Sequence, residues 1–216
     1  MITKIEKALI DRLTRGLGQL AATVKSYNGE LDDETIGTAR LPLVMVAFGG
    51  AKIQRMNTRA SRHQSEATFV ILVMVRSLRN ETAGRHGGID QREVGANQLI
   101  GAVRRLLDAQ TLDGLVKPLL PRRVATVLNG ARVKADRLTA YSIEYEVVYD
   151  DLPPLEDGHY PQETDNPLHD DYIFNRYHGQ LDPPDSLLMH IGNRIYDPTT
   201  GATVPFEVET KRKDKL

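Results

Sequence analysis

The sequence predicts an α+β fold: a mainly antiparallel sheet with two helices packed on it, followed by an extended C-terminal arm and a terminal hairpin. Three observations carry this reading. Residues 41–48 and 67–75 are apolar runs of strand composition, and 141–149 alternates between apolar and polar side chains. Between the second and third runs, residues 91–108 place Val94, Leu99, Ile100, Val103, Leu106 and Leu107 on a stripe wide enough to cover one face of a sheet. After Asp151 the composition turns acidic and proline-rich, so the chain divides into a core over 1–150 and an arm with a hairpin over 151–216.

Taken in order, Ile5, Leu9 and Leu13 recur at helical spacing. Thr3 and Glu6 stand at the interval of a capping box, and Arg12 and Arg15 sit where the carbonyl end of a helix favours positive charge. Gly16 and Gly18 break the pattern or permit a tight turn, and a weaker apolar pattern through Leu20 and Val24 ends at Tyr27-Asn28-Gly29. The polar run 31–39 reads as a loop. Residues 41–48, almost continuously apolar, suit a strand covered on both faces. Gly49-Gly50 allows a turn or bulge. Residues 52–64 alternate loosely and fit either a loop or the exposed limb of a strand pair. Residues 66–76, rich in β-branched side chains, form the clearest strand.

Residues 77–88 read as a loop. Asp113-Gly114, Pro118 and Pro121 end the second helix, and 122–128 is a short strand. In 138–149, Tyr141, Ile143, Tyr145, Val147 and Tyr149 share one side, the pattern of a half-buried antiparallel strand. Residues 151–185 hold too few apolar side chains to build a core alone, and Tyr160, Tyr172, Phe174 and Tyr177 along them are candidate docking residues. Asp197-Pro198-Thr199-Thr200-Gly201 is a turn between two strands of a terminal hairpin.

Composition sets further bounds. With 40% hydrophobic and 26% charged residues in 216, the chain can bury a core that needs neither disulfide nor metal. It has no cysteine, which removes thiolate chemistry and fits an intracellular folding environment. No run approaches the roughly 18 apolar residues of a membrane span, and the charged, amphipathic opening is not expected to be a signal peptide. The net charge of −1 hides an asymmetry. Ten basic against four acidic residues give 52–105 a net +6, whereas ten acidic residues against Arg176 give 150–185 a net −9. Such segments suggest complementary surfaces within a subunit or between neighbours.

No pattern assigns catalytic, cofactor-binding or metal-ligating residues. The six histidines make no helical pair at ligand spacing, and His169-Asp170-Asp171 reads more simply as a solvated or docking face than as a metal site. Asp150 and Asp151, adjacent on a strand, point to opposite faces and make no acid–base dyad. Gly84-Arg85-His86-Gly87-Gly88 precedes a helix and could cradle a phosphate, yet it lacks the P-loop spacing, and a surface loop is the plainer reading. The basic residues Arg59, Arg62, Arg79 and Arg85 lie in two loops flanking the central strand and would form one patch if those loops share an end of the sheet. With no aromatic residues interleaved, such a patch would meet phosphates or an acidic partner without base stacking or sequence readout.

The amphipathic opening at 5–13, the stretch Val24-Lys25-Ser26-Tyr27-Asn28-Gly29-Glu30-Leu31, the run Leu41-Pro42-Leu43-Val44-Met45-Val46-Ala47-Phe48-Gly49-Gly50-Ala51 and the closing Tyr145-Glu146-Val147-Val148-Tyr149 carry a resemblance. In these and in the order of its elements, the first 150 residues resemble the tail-terminator proteins of Mu-like contractile-tailed bacteriophages. The resemblance implies a structural, non-enzymatic subunit of a ring, usually a hexamer, in the virion tail or neck. Such a ring caps the tail tube and sheath, meets the neck or head connector, and surrounds a channel for the passing genome. The partners implied are further copies of the chain, tube, sheath and neck proteins, and DNA bound without sequence specificity, with no membrane and no cofactor. Two alternatives stand beside it: another neck or tail-completion component, and, in a different class, a nucleotide- or nucleic-acid-binding enzyme using the loop 84–88.

Overall fold

The computed structural model describes residues 1–27, 40–57, 62, 63–76, 95–127, 138–183, 190–196, 199 and 203–209, with backbone alone for 190–196 and 203–209. The chain divides into two compact units, Met1–Pro154 and Leu155–Leu216.

The first unit is a five-stranded sheet with helices on one face. Helix α1 (Ile2–Leu17) is followed by a 3-10 turn and by strand β1 (Thr23–Ser26). Strands β2 (Leu43–Arg55) and β3 (His63–Arg76) precede helix α2 (Ala96–Leu107). Strands β4 (Leu120–Thr126) and β5 (Leu138–Asp150) complete the unit. The spatial order is β1-β2-β3-β5-β4, antiparallel at every pairing except β1 with β2.

The period-2 patterns decide which side chains face the helices. Phe69, Ile71, Val73 and Val75 of β3 and Ile143, Tyr145, Val147 and Tyr149 of β5 line one face. Against them pack Ile5, Leu9, Leu13 and Leu17 of α1 and Leu99, Val103 and Leu107 of α2. Burying each such side chain stabilises the fold by about 1.5–3 kcal/mol. The opposite face carries a smaller buried cluster of Leu43, Met45, Leu72, Met74, Leu138 and Ala140. The continuous apolar character of 43–46 therefore reflects burial on both sides.

Local details correct the sequence reading in three places. α1 begins at Ile2 with Met1 as its N-cap and no side-chain cap, so Thr3 and Glu6 make no capping box. The Glu6 carboxylate instead accepts from the Ser26 hydroxyl, joining α1 to β1. β1 itself is a strand where only a weak apolar pattern was expected. Gly16 does not break α1. A Cβ there would lie 2.5 Å from Leu106 Cδ2, so glycine permits the close crossing of α1 over α2. The turn comes at Gly18, whose φ of +50° is the left-handed region open to glycine.

Two polar ties fix α2. The Arg12 Nε–H donates at 2.6 Å to the Leu106 carbonyl, one of the groups a helix C-terminus leaves without an internal partner. At the same end, Asp108 accepts from Arg104 at 2.7 Å and from the buried Tyr145 hydroxyl at 2.8 Å. Burial, and then the Asp108 carboxylate, push the Tyr145 hydroxyl pKa well above its ordinary value.

The second unit closes on itself locally. The Glu163 N–H donates to the Asp182 carbonyl at 2.9 Å and the Asp182 N–H to the Pro161 carbonyl at 2.9 Å. The Asp182 carboxylate accepts from the Tyr160 N–H at 2.9 Å and lies 3.1 Å from His159 Nδ1. A short helix, α3 (Tyr172–Arg176), is held by the Asn175 amide donating to the Thr164 carbonyl at 2.9 Å. Strands β6 (His190–Tyr196) and β7 (Thr203–Glu209) pair antiparallel as the terminal hairpin.

Candidate interaction surface

The surface is set up by the length of β2. β1 pairs with it only along Leu43–Val46, and past a register shift between Phe48 and Gly50 the strand continues to Arg55 beside β3. Gly50 takes φ +116°, a conformation that a side chain would resist. Among the described residues, no strand pairs with the outer edge of β2 from Ala47 to Arg55. Residues 52–55 are thus the exposed limb of a strand pair, closed at its outer end by Met56 N–H donating to the Arg62 carbonyl at 2.9 Å.

The limb is polar in composition but not in its exposed anchors. Ile53 is 68% exposed and Met56 54% exposed, with Lys52, Arg55 and Arg62 exposed around them. Phe48, at the inner end, is also exposed and meets Phe69 edge-on at 5.5 Å between ring centroids. In register, Phe48, Ala51, Ile53 and Arg55 stand opposite Phe69, Ala67, Ser65 and His63 and so share the face that elsewhere carries the helices.

A cleft of about 360 Å³ lies at the limb's outer end, lined by Met56, Arg62, His63, Asp150, Asp151 and Pro153. Its carboxylates have separate partners. Gln64 donates to Asp150 at 2.7 Å, and Ser65, itself buried, donates to Asp151 at 2.7 Å. The Gln64 carbonyl oxygen in turn accepts from Lys117 at 3.2 Å. The cleft is a hydrogen-bonded corner of the sheet, suited to holding chain segments in place. Among the described residues, no group of three or more His, Asp or Glu is placed to hold a metal ion.

Of the four arginines expected to form a patch, Arg62 is exposed beside this cleft, and Arg59, Arg79 and Arg85 lie outside the described residues, as does the loop 84–88. The two loops leave β3 at opposite ends. Arg62 precedes its first residue and position 77 follows its last, so a 14-residue strand, on the order of 40 Å long, separates the attachment points.

In the second unit Tyr160 and Phe174 are exposed, Tyr172 is half-buried, and Tyr177 is 72% exposed with the Arg176 guanidinium 5.8 Å from its ring centre. Ile173 and Leu168 are exposed too. Sequence reasoning passed over Ile53, Met56, Ile173 and Leu168. The signal available for the first two was an apolar residue recurring within a basic strand, which gains meaning only once β2 is known to outrun β1.

Comparison with known proteins gives one family. Residues 1–150 match the family model described as Bacteriophage Mu, Gp37. No curated protein matches the chain.

Proposed function

The chain belongs to the bacteriophage Mu Gp37 family, and on that premise we propose that this phage protein is a structural tail-terminator subunit. In this reading copies of the chain form a ring, a hexamer by resemblance, in the virion tail or neck. The ring caps the tail tube and sheath and joins the tail to the neck or head connector. The work is steric and electrostatic: apolar and tyrosine contacts close the ring, and the closed ring stops further stacking of the tube. DNA passes through without sequence readout.

One observation supports this reading beyond the family itself. The first unit combines a well-filled core with an uncovered limb that carries Ile53 and Met56 in water. Side chains of that kind on a long open strand edge are characteristic of surfaces covered in an assembly. The aromatic residues Tyr160, Tyr172, Phe174 and Tyr177 are the counterpart expected to dock on a neighbour, whether another copy, the tube or the sheath.

The test is to locate the chain in assembled particles, with an electron-dense label at the C-terminus. A ring of label at the head-proximal end of the tail supports the proposal. Label along the tube, at the baseplate or absent from the particle contradicts it.

A further inference from the structure

We propose that the outer edge of β2 beyond Val46 is the seat for the acidic segment 155–183 of a second copy of the chain. This rests on the ring reading and names the two surfaces that would meet.

The receiving surface has three properties together. Its backbone edge from Ala47 to Arg55 has no strand partner among the described residues, and a second chain laid along it would pair with the outward N–H and C=O groups. Ile53 and Met56 supply apolar area at its outer end. Arg55 and Arg62 supply positive charge beside them, and Lys52 supplies it on the opposite face of the same strand.

The incoming surface is its complement. Residues 155–183 hold seven carboxylates against Arg176 alone. The Asn175–Thr164 hydrogen bond holds α3 beside Glu163 and Asp165, so the exposed Ile173, Phe174 and Tyr177 belong to the same small structure as exposed carboxylates. Opposite charge selects the partner and steers its approach, and burial of the apolar anchors holds it. A nucleic acid fits the strip less well. Phosphates would meet the cations but leave Ile53 and Met56 in water. Because the two surfaces differ, the contact is head-to-tail, the kind that generates a ring when the rotation closes.

The experiment uses the full chain in four forms: wild type, Lys52→Glu with Arg55→Glu, Glu163→Lys with Asp165→Lys, and all four substitutions combined. Self-association is followed by sedimentation at low and high salt, with melting curves to show that these exposed changes leave folding intact. Each pair of reversals is expected to raise the concentration needed for assembly by about tenfold, and the combined protein to recover most of the loss. Assembly unchanged by either pair, or no recovery in the combination, overturns the docking while leaving a ring possible through other surfaces. A wild type that stays monomeric overturns the ring reading and this inference with it. A wild-type strip that binds duplex DNA, with self-association indifferent to the arm reversals, assigns the strip to DNA and overturns the inference.

Discussion

The Ser65 hydroxyl donates to the Asp151 carboxylate at 2.7 Å, and the Asp151 N–H donates to the His63 carbonyl at 3.0 Å. Ser65 is 2% exposed on β3, so the residue after β5 is tied to the interior of the sheet. Ser65→Ala removes the hydroxyl and leaves a carboxylate without that donor. A loss of about 1–2 kcal/mol in denaturant unfolding is expected.

The same tie makes truncations informative. A chain ending at Pro154 retains the whole first compact unit and is expected to melt cooperatively. A chain ending at position 150 lacks both Asp151 hydrogen bonds and is expected to lose about 2 kcal/mol, which lowers the midpoint by roughly 4–8 °C. Equal melting of the two chains would show that Asp151 adds nothing to the core. Both truncations lack the arm and are expected to self-associate less than the full chain.

Tyr145 supplies a pH dependence of known sign. Its folded-state pKa is raised above the ordinary 10.0, because burial and the Asp108 contact favour the neutral hydroxyl. The stabilisation is therefore fully present below pH 10 and is lost as pH rises above it, where the unfolded chain ionises and the folded one resists. Tyr145→Phe is expected to cost about 1 kcal/mol near neutrality through the lost Asp108 hydrogen bond, and to flatten the alkaline decline in a melting series from pH 8 to 11.

Gly16 tests the helix crossing. Gly16→Ala gains helix propensity, but its methyl group meets the end of the Leu106 side chain, which can rotate aside; a net change of about 1 kcal/mol or less is expected. Gly16→Leu cannot be relieved by one rotamer and is expected to cost about 2–3 kcal/mol in the same unfolding assay. Combining Gly16→Ala with Leu106→Ala is expected to show coupling rather than simple addition.

Ile53 and Met56 separate assembly from stability. Ile53→Asp and Met56→Asp change side chains that are mostly in water, so melting is expected to stay within about 0.5 kcal/mol of wild type. Self-association is expected to fall in both. A large drop in melting instead would place these side chains within the folding core.

What could be read from the sequence was what short-range patterns encode. The β-branched run within β3, the alternation of β5 and the apolar stripe of α2 each fix both an element and its buried face. β1 was missed because four half-buried residues, Thr23–Ser26, become a strand only by pairing with Leu43–Val46, a partner some twenty residues away. The capping-box spacing of Thr3 and Glu6 misled because Ser26 offers Glu6 a tertiary partner. Residues 52–64 were ambiguous between loop and limb for the same reason: cross-strand pairs such as Lys52 with Glu66 and Gln54 with Gln64 decide it. Arg62 and the aromatic residues of the arm were visible as candidates, whereas the apolar anchors beside them required the exposed edge of β2 to be seen.

The measurement that bears most directly on the central claim is the mass and shape of the purified full-length chain, by sedimentation and by electron microscopy of the same sample. The account predicts closed rings with a mass that is a fixed multiple of the 24.1 kDa chain. A strict monomer at every concentration, or open fibres of no fixed mass, would contradict it.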